Sequence, residues 1–105
     1  MDLRQLDRAL GLFAVLEPTH FYAHFAQVFI VIAEHEPCTL RAIEDKLNLS
    51  PSAVSRTVHA LGDQHRKGKP GFNLVTTEKD PEEGRRFIAF LTPKGKALKR
   101  QLLEL

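Results

Sequence analysis

Two strand-like runs, Asn73 to Glu78 and Arg86 to Leu91, flank the segment Asp80-Pro81-Glu82-Glu83-Gly84. Asp-Pro opens a turn and glycine supplies a positive φ angle, so the stretch closes on itself as a β-hairpin. Thr92-Pro93 then caps a last helix, with Ala97, Leu98, Leu102 and Leu105 on one side. The chain before the hairpin reads as helical. The fold class is therefore mainly α with a small β-hairpin.

The helices follow from apolar spacing. Leu3, Leu6, Leu10 and Phe13 form a 3-4-3 stripe over Asp2 to Leu16. Glu17-Pro18-Thr19 breaks that helix, because a residue before proline leaves the helical region. A second helix is expected from about Thr19 to Glu34. Phe21, Phe25 and Phe29 share one of its faces, and its second half is apolar nearly all round, which marks a central, buried helix. After Glu36-Pro37, Cys38-Thr39-Leu40 reads as a short extended piece, with Thr39 capping a third helix over Leu40 to Leu47. Ser50-Pro51 starts a fourth, running to Leu61 or Gln64, with Val54, Val58 and Leu61 inward and Ser52, Ser55, Arg56 and His59 outward. The sequence His65-Arg66-Lys67-Gly68-Lys69-Pro70-Gly71 reads as a basic, turn-rich loop. The predicted order is α-α-(β)-α-α-β-β-α.

At 105 residues, with 43% apolar and 27% charged, the chain is expected to form one globular domain with a modest core. Phe21 to Ala33, interrupted by His24 and Gln27, is too short an apolar run to span a bilayer, so no membrane partner is expected. The N-terminus lacks the pattern of a secretory signal. A single cysteine, Cys38, excludes an intrachain disulfide and points to a reducing cytoplasm. Charge is divided unevenly. Residues 1–50 hold four Lys/Arg against seven Asp/Glu, or −3, and residues 51–105 hold eleven against six, or +5. A basic second half suits a polyanion, although a solvated basic face would look the same.

Two short helices joined by a tight turn, the second capped and polar on one face, suit a helix-turn-helix. Small residues near the start of the second helix let its backbone enter a major groove. Ser50, Ser52 and Ser55 can bond phosphates or base edges, and Arg56 and His59 reach further. A plain solvent-facing helix would satisfy the same pattern. The hairpin adds Arg85 and Arg86 at its tip, suited to a minor groove; in an ordinary hairpin they would aid solubility.

Three stretches resemble the multiple-antibiotic-resistance regulator (MarR) family of bacterial transcription factors: VIAEHEPCTLRAIEDKLNLSPSAVSRTVHAL, DPEEGRR and FLTPKGKAL. They correspond to that family's helix-turn-helix, its wing tip, and the Leu-Thr-x-x-Gly that starts the helix after the wing. The resemblance covers about Phe21 to Leu98. It implies a winged helix-turn-helix over 1–105, with an N-terminal helix at 1–17, the helix-turn-helix at 39–64, the wing at 73–91 and a C-terminal helix at 92–105. It implies double-stranded DNA as partner, with Arg85 in the minor groove and Ser52, Ser55 and Arg56 at the major groove. It also implies a homodimer and a small aromatic effector.

Departures from the family are informative. The family's terminal helices are longer and braid into a dimer, whereas here about a dozen residues follow Thr92. Leu3, Leu6, Leu10 and Phe13, joined by Leu98, Leu102 and Leu105, either pair with a second chain or cover their own domain. The stretch from Gly62 to Phe72 is longer than usual and basic, and Arg66, Lys67 and Lys69 are expected to add phosphate contacts. Phe87, Ala89 and Leu91 should face the core and Phe90 the other way, under the inserted loop or a partner. The alternative function is a winged-helix module for protein interaction or DNA architecture, in replication, packaging or a phage.

Other chemistry is not expected. His20 and His24 have metal-ligand spacing, with His35 further along, but no acidic or cysteine ligand completes a set, so no metal or other cofactor is expected. Cys38 is either a redox sensor, as in some members of the family it resembles, or, as a lone cysteine beside a proline favours, a small buried residue, with Glu36 and Glu44 nearby to raise rather than lower its pKa. Phe13, Phe21, Phe25 and Phe29 either line a ligand pocket or, as their spacing favours, fill the core. No nucleophile–base pair or phosphate-binding glycine loop is visible, so an enzyme is not expected.

Overall fold

The computed structural model describes residues 1–16, 22–66, 69–84 and 86–105, with the backbone alone at 64–66 and 69. His20, Phe21, Lys67 and Arg85 lie outside the described residues.

Helix α1 spans Leu3–Ala14 and begins with a reciprocal cap: the Gln5 N–H donates to Asp2 Oδ1 and the Asp2 N–H donates to Gln5 Oε1, both at 2.8 Å. Helix α2, Ala23–His35, is the buried centre, contributing Phe25, Val28, Phe29, Val31 and Ile32 to the core. Strand β1 is Cys38–Thr39. Helix α3, Leu40–Leu47, is capped by Thr39 and ends at Asn48 in the left-handed conformation. Helix α4, Pro51–Leu61, is capped by Ser50. Strands β4, Val75–Lys79, and β5, Phe87–Leu91, form the long hairpin. Between them and α4 lie β2, Gln64–Arg66, and β3, Lys69–Pro70. Helix α5, Pro93–Leu103, completes the described chain.

One antiparallel sheet has the order β1-β5-β4. Cys38 and Thr39 pair with Ala89 and Ile88, so the start of the helix-turn-helix is stitched to the long hairpin. The core gathers α2, the inner faces of α3 and α4, and the inward side of the sheet. Val54, Val58 and Leu61 are buried as their spacing predicts. Burying a side chain of this size is worth about 1.5–3 kcal/mol.

Three expectations are corrected. The basic stretch after α4 is not simply a loop, since β2 and β3 pair as a second, short antiparallel hairpin. Phe87 is 44% exposed, although Ala89 and Leu91 on the same strand face are buried. Phe87 pairs with Lys79 at the tip end of the hairpin, one residue beyond the last pair that β5 makes with β1. Phe13 and Leu98 do not lie on an outer stripe. Both are buried in this chain, with the Phe13 ring edge-on to Phe29 at 5.7 Å.

Candidate nucleic-acid interface

Helix α4 presents its first turn because its cap and its core contacts use the opposite side. Ser50 Oγ accepts from the Ala53 N–H at 3.1 Å, and Pro51 occupies the first helical position. Ser50 thus shapes the helix start, and its hydroxyl sits 3.4 Å from that of Ser52. Thr57, absent from the sequence reading as a core residue, is buried and donates back to the Ala53 carbonyl at 2.8 Å. This bond satisfies its hydroxyl, which sequence spacing alone does not reveal. Ser52, Arg56 and His59 are exposed and Ser55 is half-buried.

Clefts flank the exposed face of α4. On one side, Ala53, Arg56, Thr57 and Ala60 meet Tyr22, His24 and Phe25 around a cleft of about 440 Å³. On the other, Val58, His59, Gly62 and Asp63 meet Asn73, Val75, Thr76, Thr77 and Thr92 around one of about 240 Å³. Arg56 and His59 therefore mark opposite borders of the exposed face, one toward α2 and the other toward β4.

The tip of the long hairpin is stiffened from within. The Asp80 carboxylate, nearly buried, accepts from the Glu82 N–H at 2.9 Å and from Arg86 Nε at 2.8 Å. The Asp80 N–H donates to the Arg86 carbonyl at 2.8 Å, and the Arg86 N–H to that of Glu83 at 3.0 Å. The Glu82 N–H, then the Arg86 guanidinium, hold the Asp80 carboxyl below its ordinary pKa. The same pairing lifts Arg86 above its own. Arg86, expected to enter a groove beside Arg85, is held at the tip by the Asp80 carboxylate, with 44% of its side chain still exposed. Arg85 follows Gly84 in the chain and lies outside the described residues.

The helix after the tip is held by close approach. Thr92 Oγ1 donates to the Asn73 carbonyl at 2.7 Å and accepts from the Gly95 N–H at 3.0 Å. A Cβ at Gly95 would stand 2.0 Å from the Leu74 carbonyl oxygen, so only glycine fits. This accounts physically for the Thr-x-x-Gly spacing.

At the far end, Gln5 Nε2 donates to the Leu105 carbonyl at 3.2 Å, joining α1 to α5. Leu3, Leu6 and Leu10 are 83%, 43% and 55% exposed, and Leu103, absent from the expected stripe, is 74% exposed. Leu102 packs partly on the core and Leu105 is half-buried. Cys38 is buried and burial raises its thiol pKa, which disfavours the reactive thiolate. Among the described residues no group of three His, Cys, Asp or Glu could hold a metal ion, and no helix is long and apolar enough to cross a membrane.

No protein-family model matches the chain. No curated protein matches it. Solved structures do. The PcaV transcriptional regulator from Streptomyces coelicolor, in complex with its natural ligand, is 24% identical with a TM-score of 0.64, over 94% of this chain and 65% of that one. A MarR transcriptional regulator from Methanosarcina mazei Go1 is 18% identical with a TM-score of 0.68, over 96% and 68%. A MepR–DNA complex from S. aureus is 17% identical with a TM-score of 0.71, over 96% and 72%. The chain thus spans about two thirds of the length of these structures. Its fold is the MarR-like winged helix, with five helices and a small three-stranded antiparallel sheet among the described residues.

Proposed function

We propose that this chain is a sequence-specific transcriptional regulator that binds double-stranded DNA as a homodimer, with α4 in the major groove and Arg85 in the minor groove. The observation that carries the reading is the pairing of two features on one scaffold: an exposed polar start to α4 and a hairpin tip stiffened by its own ion pair. A preorganised tip can present an arginine without ordering cost at the moment of binding. In this reading Ser52 and Ser55 contact phosphates or base edges and Arg56 and His59 reach the bases. Ser50 acts by setting the helix start, whose unbonded N–H groups favour a phosphate.

The second chain would cover Leu3, Leu6, Leu10 and Leu103, a surface that leaves large apolar side chains in water. A small aromatic effector belongs to the same reading. The cleft lined by Tyr22, His24, Phe25 and Arg56 supports it, because it joins aromatic walls to a cation on the reading helix.

Mobility shifts on random duplex DNA over a salt series, followed by selection of preferred sites, test the proposal. Enrichment of a roughly palindromic site is the expected result. Sequence-blind binding would instead indicate an architectural role. Absence of binding at low salt would indicate a protein partner.

A further inference from the structure

We propose that the cleft between the start of α3 and the tip of the long hairpin seats one unit of the DNA backbone, its phosphate on Arg41 and Arg86 and its deoxyribose against Phe87; this rests on the DNA-binding reading above. The cleft holds about 490 Å³ and is lined by Leu40 and Arg41 from α3 and by Glu83, Arg86 and Phe87 from the hairpin. Pairing of Thr39 with Ile88 fixes its two walls to each other. A protein with one element in a major groove and another in the adjacent minor groove straddles the sugar–phosphate strand between them. The walls of this cleft belong to those two parts of the fold, because α3 is the first helix of the helix-turn-helix and the hairpin is the wing.

The two arginines contribute differently. Arg41 Nε stands 3.7 Å from Asp45 Oδ1, and the two side chains are 78% and 71% exposed. A pair so long and so wet holds Arg41 weakly and leaves its charge available to a phosphate. Arg86 is already matched by Asp80, which takes its Nε and Nη2. A guanidinium carries five N–H donors, so the Nη1 end of the fork stays outside that ion pair. The grip of Asp80 fixes the plane of the fork in advance, and little rotamer freedom is left to lose when a phosphate arrives. Arg41 thus supplies charge, and Arg86 supplies aimed donors.

Phe87 accounts for the sugar. Its ring is 44% exposed on the wall that it shares with Arg86. The C–H face of a deoxyribose can cover such a ring and remove apolar surface from water. Sugar and phosphate are the same at every base, so these contacts position the protein without reading sequence. Glu83 lines the same cleft and opposes an anion there, which fixes the sign of one test.

The test measures fluorescence anisotropy on the selected duplex across a salt series. Arg41→Gln removes one phosphate contact, so its log–log salt slope should be shallower by about 0.9. Its affinity should then fall about threefold less than that of wild type between about 50 and 200 mM salt. Arg41→Lys should restore the slope. Phe87→Ala should bind several-fold more weakly at every salt concentration with the slope unchanged, since an apolar contact releases no counterion. Glu83→Gln should bind more tightly, and most so at low salt. Base preference should be that of wild type in each. An unchanged slope in Arg41→Gln, or no gain in Glu83→Gln, would overturn the seat and leave the regulator reading standing. Wild-type DNA binding in every one of these variants would assign the cleft to a protein partner instead. A changed base preference would overturn the seat by showing that its residues read bases. Absence of wild-type binding at low salt would overturn both readings together.

Discussion

Gly95 illustrates what a single residue decides. The first turn of α5 passes so close to the Leu74 carbonyl that any side chain would collide with backbone, which cannot swing aside. Gly95→Ala should therefore lower stability by about 3 kcal/mol, the upper end of overpacking costs, as read by denaturant unfolding. A loss below about 0.5 kcal/mol would show that the helix shifts freely. The start of α5 was legible from Thr92-Pro93, and Gly95 stood out only through the resemblance to the Leu-Thr-x-x-Gly pattern. The partner of Arg86 was not. Two adjacent arginines follow the turn, and nothing in their order tells which one reaches back to Asp80. Phe87 was misjudged for a related reason: alternation gives the face of a strand, but not where the covering layer ends.

The wing carries a carboxylate whose ionisation is tied to the fold. Asp80 is held ionised by the Glu82 N–H and by Arg86, so its folded pKa lies below its unfolded value. Its contribution to stability is full above the unfolded pKa, about 3.9. It is lost as pH falls from there through the lower folded value. The Glu82 amide resonance should report that loss as a shift confined to acid below about pH 4. Asp80→Asn keeps an acceptor for the Glu82 N–H but removes the ion pair, and should abolish the shift. It should also weaken DNA binding by several-fold, if a stiff tip is what presents Arg85. An undiminished affinity in Asp80→Asn would separate tip order from binding. The elements themselves were largely legible, since α3, α4 and α5 start at capped positions that sequence names directly: Thr39, Ser50 and Thr92. The hairpin β2–β3 was not legible. Its strands are two and three residues long, too short for alternation to be read, and its pairing follows from ends already anchored at Asp63 and Phe72.

At the scale of the whole molecule, α1 keeps Leu3, Leu6 and Leu10 in water. Leu3→Glu with Leu10→Glu should leave the fold intact, because both side chains are exposed in the single chain. It should shift sedimentation from dimer to monomer and weaken binding to a palindromic site far more than to a half-site. The sequence marked this stripe but could not say that Phe13 and Leu98 turn into the core, because helical spacing gives an apolar stripe without naming what covers it. The central claim, that α4 and the wing together grip duplex DNA, is tested most directly by a chemical footprint of the protein on its selected site. The account predicts major-groove protection in two half-sites about 10 bp apart, or a multiple of that, each flanked by minor-groove protection that disappears in Arg85→Ala. Protection without groove preference, or a pattern unchanged in both Arg56→Ala and Arg85→Ala, would contradict it.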